Sequence, residues 1–234
     1  MPFPTSVFGI TPAGERFLDS SVVMVDGRGM KRRIASWLIV LQMLAAVAGG
    51  EIPALREGDI LFTSCERGQG EAIIAATRSP YTHCGVVFER DGKLMVLEAV
   101  QPVRVSTLAA FMANGRKEHF IAKRLKTPVK PEFYRKAREW ATAQVGRDYD
   151  LRFGWDDAKL YCSELVWKIY QKAGVELCAP KRFRDYDLDQ PSVRRIIEQR
   201  FGGMHRVPMD EKVVAPSDLA DSPLLVDVPK AGAR

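Results

Sequence analysis

Asp91-Gly92, between the apolar runs 82–88 and 94–100, constrains this chain more than any other feature of its sequence. Asp-Gly flanked by apolar runs is a strong signal for a two-residue β-hairpin. It pairs Arg90 with Lys93, and so sets His83 opposite Val100, Gly85 opposite Glu98 and Val87 opposite Val96. Opposed residues share a face of the sheet, as do positions two apart. His83 and Glu98 are therefore diagonal neighbours on one face, with backbones roughly 6–8 Å apart. Gly85 leaves room for the carboxylate to lean toward the imidazole. A turn one residue longer would flip one strand and separate the two side chains.

Around the hairpin, Gly58-Asp59-Ile60-Leu61-Phe62-Thr63-Ser64 and residues 119–125 read as further strands. Helices are expected over 69–77, from a Ser106 cap to Ala113, from Pro131 to Gly146, from Tyr161 to Ala173 and from Pro191 to Phe201. Strands gather in the first half and helices in the second, which argues for an α+β fold, an antiparallel sheet packed with helices. No internal repeat or low-complexity tract is present.

The 234 residues suffice for one well-buried domain. The 35 Lys and Arg are interspersed with 29 Asp and Glu, giving a net charge of +6 without a basic block. That is a solvated surface, and no nucleic-acid partner is expected. Met30-Lys31-Arg32-Arg33 precedes an apolar run that ends in Ala46-Val47-Ala48. This is the pattern of a secretory signal over 30–48, cleaved after Ala48. The run is too short, and too interrupted by Gln42, for a spanning helix, so no stable membrane span is expected after cleavage. Residues 1–29 lack periodicity and read as an untranslated or disordered extension, with translation starting at Met30. Residues 49–234 then form a single periplasmic or secreted domain.

Chemistry concentrates at Tyr161-Cys162-Ser163-Glu164, where a polar stretch turns into an amphipathic helix. Exposed N–H groups and the helix dipole favour a thiolate at such a position. His83 supplies a base, and Glu98 would fix its tautomer and stabilise the imidazolium. A Cys-His-acid set of this kind suits acyl transfer through a thioester and requires no cofactor. Tyr161 and the Cys162 N–H are candidate oxyanion donors.

Each residue also has a plainer reading: Cys162 as packing, His83 as a satisfied polar residue, Glu98 as the solvent-facing member of a strand. His119 and His205 are competing bases. Cys84 points away from His83, into the core. Cys65 and Cys178 have no nearby sequence partner, and the cysteine spacing fits no zinc pattern. Asp148, Asp150, Asp156 and Asp157 do not have calcium-loop spacing and read as loop caps or substrate contacts, so no metal is expected. Phe153, Trp155 and Trp167 could line a pocket or the core.

Taken in order, Gly58-Asp59-Ile60-Leu61-Phe62, Ser79-Pro80-Tyr81-Thr82-His83-Cys84-Gly85, Leu97-Glu98-Ala99-Val100, Gly146-Arg147-Asp148-Tyr149-Asp150 and Tyr161-Cys162-Ser163-Glu164-Leu165-Val166 resemble the YiiX/YebB-like branch of the NlpC superfamily. These are permuted papain-like cysteine hydrolases. The similarity runs from about residue 55 through Phe183-Arg184-Asp185-Tyr186-Asp187-Leu188 to Ser222-Pro223-Leu224. It implies a circularly permuted papain-like fold, with Cys162 as nucleophile, His83 as base and Glu98 as the orienting residue. Tyr149 and Trp155 join Tyr161 as candidate substrate-binding residues. The family commonly has a small residue where this chain has Cys84. Together these readings describe an exported amidase or peptidase acting on peptidoglycan stem peptides or small peptides. The alternatives are a lipid acyl hydrolase or acyltransferase, and a non-catalytic envelope-binding module.

Overall fold

The computed structural model describes residues 53–116 and 119–229. The segment read as an export signal, and the 29 residues ahead of it, lie outside them. Eight strands are present among the described residues: β1 (Ile60–Thr63), β2 (His83–Arg90), β3 (Lys93–Glu98), β4 (Arg104–Thr107), β5 (Ile121–Leu125), β6 (Lys181–Arg182), β7 (Lys212–Val213) and β8 (Leu225–Asp227). Six of them form an antiparallel sheet in the order β4-β3-β2-β1-β5-β8, and β6 and β7 pair separately. Six α-helices accompany them: α1 (Gln69–Thr77), α2 (Leu108–Ala113), α3 (Pro131–Thr142), α4 (Cys162–Lys172), α5 (Pro191–Phe201) and α6 (Pro216–Ala220). The fold is α+β.

The hairpin has the expected register, with Gly85 opposite Glu98, Val87 opposite Val96 and Arg90 opposite Lys93. Asp91 and Gly92 both have positive φ (53° and 71°). That is the type I′ geometry whose twist matches the flanking strands. The second strand is shorter than expected. It ends at Glu98, and the chain leaves the sheet before Val100 could face His83.

Both faces of the central strands are covered, which is why they read as unbroken apolar runs. Ile60, Phe62, Cys84, Val86 and Leu97 meet Leu165, Val166 and Ile169 of α4 on one face. Leu61, Val87, Val96, Ala122 and Phe111 of α2 close the other. Burying each large side chain of this kind contributes roughly 1.5–3 kcal/mol. Gly85 is required for a different reason from the one expected. A Cβ there would lie 2.7 Å from Val96 and 3.2 Å from the Phe111 ring, so the space belongs to Phe111 and not to the Glu98 carboxylate.

Asp59 is buried, accepts the Arg56 N–H at 2.8 Å and is held by Arg124 at 2.6 and 2.7 Å. This ion pair ties the start of β1 to β5, so the Gly58-Asp59 motif has a structural role. The helix expected to be capped by Ser106 starts one residue later. Thr107 caps α2 by accepting the Ala110 N–H, and Ser106 belongs to β4. No helix of the described residues is long and apolar enough to cross a membrane.

Candidate active site

Cys162 is the first residue of α4, and its side chain is buried. Tyr161 precedes the helix in extended conformation, and its N–H donates to Glu164 Oε2 at 3.3 Å. Glu164 is held in turn by Lys168 at 2.6 Å. Ser163 Oγ donates to the Val214 carbonyl at 2.6 Å. The N-terminal turn is thus fixed on both sides, and the helix dipole favours an anion at Cys162, its first residue. The segment ahead of it forms a parallel bridge, Tyr149 to Leu160, which sets the Gly146–Asp150 motif beside the cysteine.

His83 begins β2 and stacks on Phe111, with ring centroids 5.4 Å apart. Its Nε2 lies 2.7 Å from Glu98 Oε2, which leaves Nδ1 for the Cys162 sulfur. Glu98 is fully buried. Its Oε1 accepts Ser106 Oγ at 2.6 Å and faces Arg104 at 3.4 Å, so both carboxylate oxygens have donors. This accounts for the missed strand β4: strand alternation turns Ser106 and Arg104 toward Glu98, a relation that a helix cap would not allow.

The electrostatics describe a thiolate–imidazolium pair. Burial by itself lowers the His83 pKa, but hydrogen bonds to the Cys162 sulfur and the Glu98 carboxylate outweigh it and raise it to about 9. Cys162 is held well below the ordinary thiol range, first by a hydrogen bond from the Cys84 thiol and then, against the cost of burial, by His83. Burial pushes Glu98 up, yet the hydrogen bonds from His83 and Ser106 bring it below the usual carboxylate value. Cys84 does lie on the sheet face away from His83. That face is the one α4 covers, so its thiol meets Cys162, a neighbour that strand alternation alone does not reveal. Burial and the adjacent sulfur keep the Cys84 thiol protonated. All four cysteines are free thiols in the structure.

A cavity opens beside Cys162 between α1, α5 and the segments around Phe183 and Val213. Tyr149 lines it, accepting from Gln69 Nε2 at 2.8 Å and keeping its own O–H free to donate. Tyr161 lines it too, its oxygen accepting the Val214 N–H at 3.2 Å, its ring edge-on to Phe153 and its own O–H likewise left to donate. Trp155 is placed elsewhere. It packs edge-on against Trp167 at 5.1 Å, beneath Lys168, and is not part of the cavity wall. Phe153 takes the wall position. His119 and His205 are not in the wall either, and His205 is exposed. Asp150 accepts the N–H groups of Arg152 and Gly154, Asp156 accepts that of Ala158, and Asp157 pairs with Lys168. These aspartates shape the loop before α4.

Residues 54–228 match the family described as permuted papain-like amidase enzyme, YaeF/YiiX, C92 family. The chain belongs to this family. It is 34% identical over 198 residues to protein YiiX of Escherichia coli K12, covering 82% of this chain and 95% of YiiX. The crystal structure of YiiX from Escherichia coli O157:H7 superposes with a TM-score of 0.70 at 35% identity, over 75% of this chain and 97% of that one. The fold is therefore the permuted papain-like one, and the chain is a papain-like cysteine hydrolase of the amidase class. YiiX from Escherichia coli O157:H7 is described as a metalloprotein. Among the described residues here, no three His, Cys, Asp or Glu side chains come together as a ligand set. His83 is engaged by Glu98 and Cys162, and the loop aspartates by backbone N–H groups and Lys168. The donors present do not fit a metal at this site.

Proposed function

We propose that Cys162, His83 and Glu98 are the catalytic triad of this amidase. The observation that carries the reading is His83 held between the buried Glu98 carboxylate and the Cys162 sulfur. The Cys162 thiolate attacks the amide carbonyl carbon. The Cys162 N–H is one donor to the resulting oxyanion; the hydroxyls of Tyr149 and Tyr161 accept from Gln69 Nε2 and the Val214 N–H, which leaves either O–H to supply the second. His83 delivers its proton to the leaving nitrogen as the C–N bond breaks, then takes a proton from the water that hydrolyses the thioester. With residues 30–48 read as an export signal, this chemistry takes place in the periplasm or outside the cell. Peptidoglycan stem peptides follow as substrates from that compartment alone.

The test combines labelling and turnover. Iodoacetamide at neutral pH is expected to modify Cys162 ahead of the other three cysteines, and Cys162→Ala is expected to remove amide hydrolysis while leaving the melting temperature unchanged. Equal labelling of all four thiols, or hydrolysis surviving in Cys162→Ala, refutes the assignment. A binding module without turnover would show neither preferential labelling nor hydrolysis.

A further inference from the structure

Resting on Cys162 as the nucleophile, we infer that Cys84 is its resolving thiol: oxidation of Cys162 by hydrogen peroxide ends in a Cys84–Cys162 disulfide that switches the enzyme off reversibly.

Two parts of Cys84 meet the Cys162 sulfur. Its thiol and its backbone N–H both hydrogen-bond to that sulfur, where β2 packs against the first turn of α4. A disulfide needs Cα atoms about 4.4–6.8 Å apart and side chains directed at each other. The thiol contact supplies the direction, and the N–H contact draws the two backbones together. Both side chains sit in one buried cluster with Phe62, Leu165 and Val166. Cys84 and His83 are the groups that act most strongly on the Cys162 sulfur, and Cys65 and Cys178 are not among them.

The two thiols differ as an attacking and a resolving thiol must. Cys162 carries the thiolate and keeps 3% of its surface exposed, while Cys84 is protonated and has none exposed. Peroxide therefore reacts at Cys162 first. The Cys162 thiolate attacks one peroxide oxygen, the O–O bond breaks, and the departing hydroxide takes the His83 proton to become water. Cys162 is now a sulfenic acid. The Cys84 sulfur attacks the Cys162 sulfur, the S–O bond breaks, and the hydroxyl leaves as water with the Cys84 proton. In sum, the thiolate–imidazolium pair, one thiol and one peroxide become one disulfide, neutral His83 and two waters. The sulfurs are oxidised by two electrons and the peroxide is reduced by two.

The bridged Cys162 has no thiolate to attack a carbonyl. The interactions that hold Cys162 as a thiolate favour the reduced pair, so a small dithiol reopens the bridge readily. Closing it also spares Cys162 from the sulfinic and sulfonic acids, which thiols do not reverse.

The experiment treats the full chain with excess hydrogen peroxide at neutral pH, then with dithiothreitol, and reads iodoacetamide alkylation of Cys162 alongside peptide mass spectrometry. Peroxide is expected to cut the alkylation about tenfold or more, with Cys84 and Cys162 peptides linked in the digest, and dithiothreitol to restore about nine-tenths of it. In Cys84→Val and Cys84→Ser, dithiothreitol is expected to restore less than about a tenth, with two or three oxygens on Cys162 in place of the link. The double variant Cys65→Ser, Cys178→Ser is expected to recover as the unaltered chain does. The link itself is read on the unaltered chain, so the result does not depend on how the variants fold. Irreversible oxidation of the unaltered chain, or a link from Cys162 to Cys65 or Cys178, overturns the inference while preferential alkylation of Cys162 keeps the triad standing. A reversible Cys84–Cys162 link in a protein whose Cys162→Ala variant still hydrolyses amides upholds the redox pair and refutes the triad.

Discussion

Glu98→Gln isolates what the buried carboxylate does. The side chain keeps its shape, but its charge is lost and an NH2 group can be turned toward His83 Nε2. An imidazolium N–H facing an amide N–H is unfavourable, so the variant favours neutral His83. The rise of the His83 pKa from 6.5 to about 9 corresponds to about 3 kcal/mol of preference for the charged ring at 1.36 kcal/mol per pH unit. That preference has two sources, the Cys162 sulfur and the Glu98 carboxylate. A hydrogen bond to a charged group is worth about 1.5–3 kcal/mol, so loss of the Glu98 carboxylate is expected to cost roughly tenfold or more in the thiolate–imidazolium population. The assay is the pH dependence of iodoacetamide alkylation at Cys162, which reads the thiolate directly. Its midpoint is expected to move up by about one pH unit in Glu98→Gln, with kcat/KM at neutral pH falling roughly tenfold or more. A midpoint and a rate both unchanged within twofold would show that Glu98 does not tune this pair, and the reasoning would fail.

The pH–rate profile of the unaltered enzyme follows from the same directions. A raised His83 pKa keeps the proton donor in place below about 9, and activity is lost as pH rises through that value. A lowered Cys162 pKa keeps the nucleophile ionised down to pH values well under the ordinary thiol range, and activity is lost as pH falls through the lowered value. An acid limb near the ordinary thiol value of 9.0 would contradict the lowered Cys162 pKa, and an alkaline limb near 6.5 the raised His83 pKa. Cys84→Val removes a thiol donor to the Cys162 sulfur, and a hydrogen bond to a charged group is worth about 1.5–3 kcal/mol. The alkylation midpoint is therefore expected to rise by about one pH unit or more in Cys84→Val and by less in Cys84→Ser, which keeps a donor. Equal midpoints in all three proteins would remove Cys84 from the account.

The elements legible in the sequence are those encoded locally. The Asp91-Gly92 turn, the Pro131 and Pro191 helix starts and the Gly58–Ser64 strand depend on backbone preferences and apolar periodicity within a few residues. What was misread has non-local causes. Ser106 is an acceptable helix cap by its neighbours alone. It becomes a strand residue because Thr107 can cap in its place and because β3 offers backbone partners and a carboxylate beside it. Trp155, read with Phe153 and Trp167 as suited to a pocket or the core, packs against Trp167 and beneath Lys168, outside the cavity wall. The two-residue strands β6 and β7 carry too few residues to show a period, yet their pairing sets Phe183, just after β6, and Val213 of β7 in the cavity wall.

By itself, the sequence determined that His83 and Glu98 share a face, because a two-residue turn and the two-residue period of a strand leave no freedom in register. It also determined that Cys162 stands at a helix N-terminus, because the residues after it alternate on a helical period and those before it do not. Only the tertiary structure decided which sheet face α4 covers. That choice brings Cys84 against the nucleophile, turns His83 Nδ1 to the sulfur and opens an apolar cavity on the other side. Packing of a helix on a sheet depends on the shape of the whole core, and no local stretch of residues contains it.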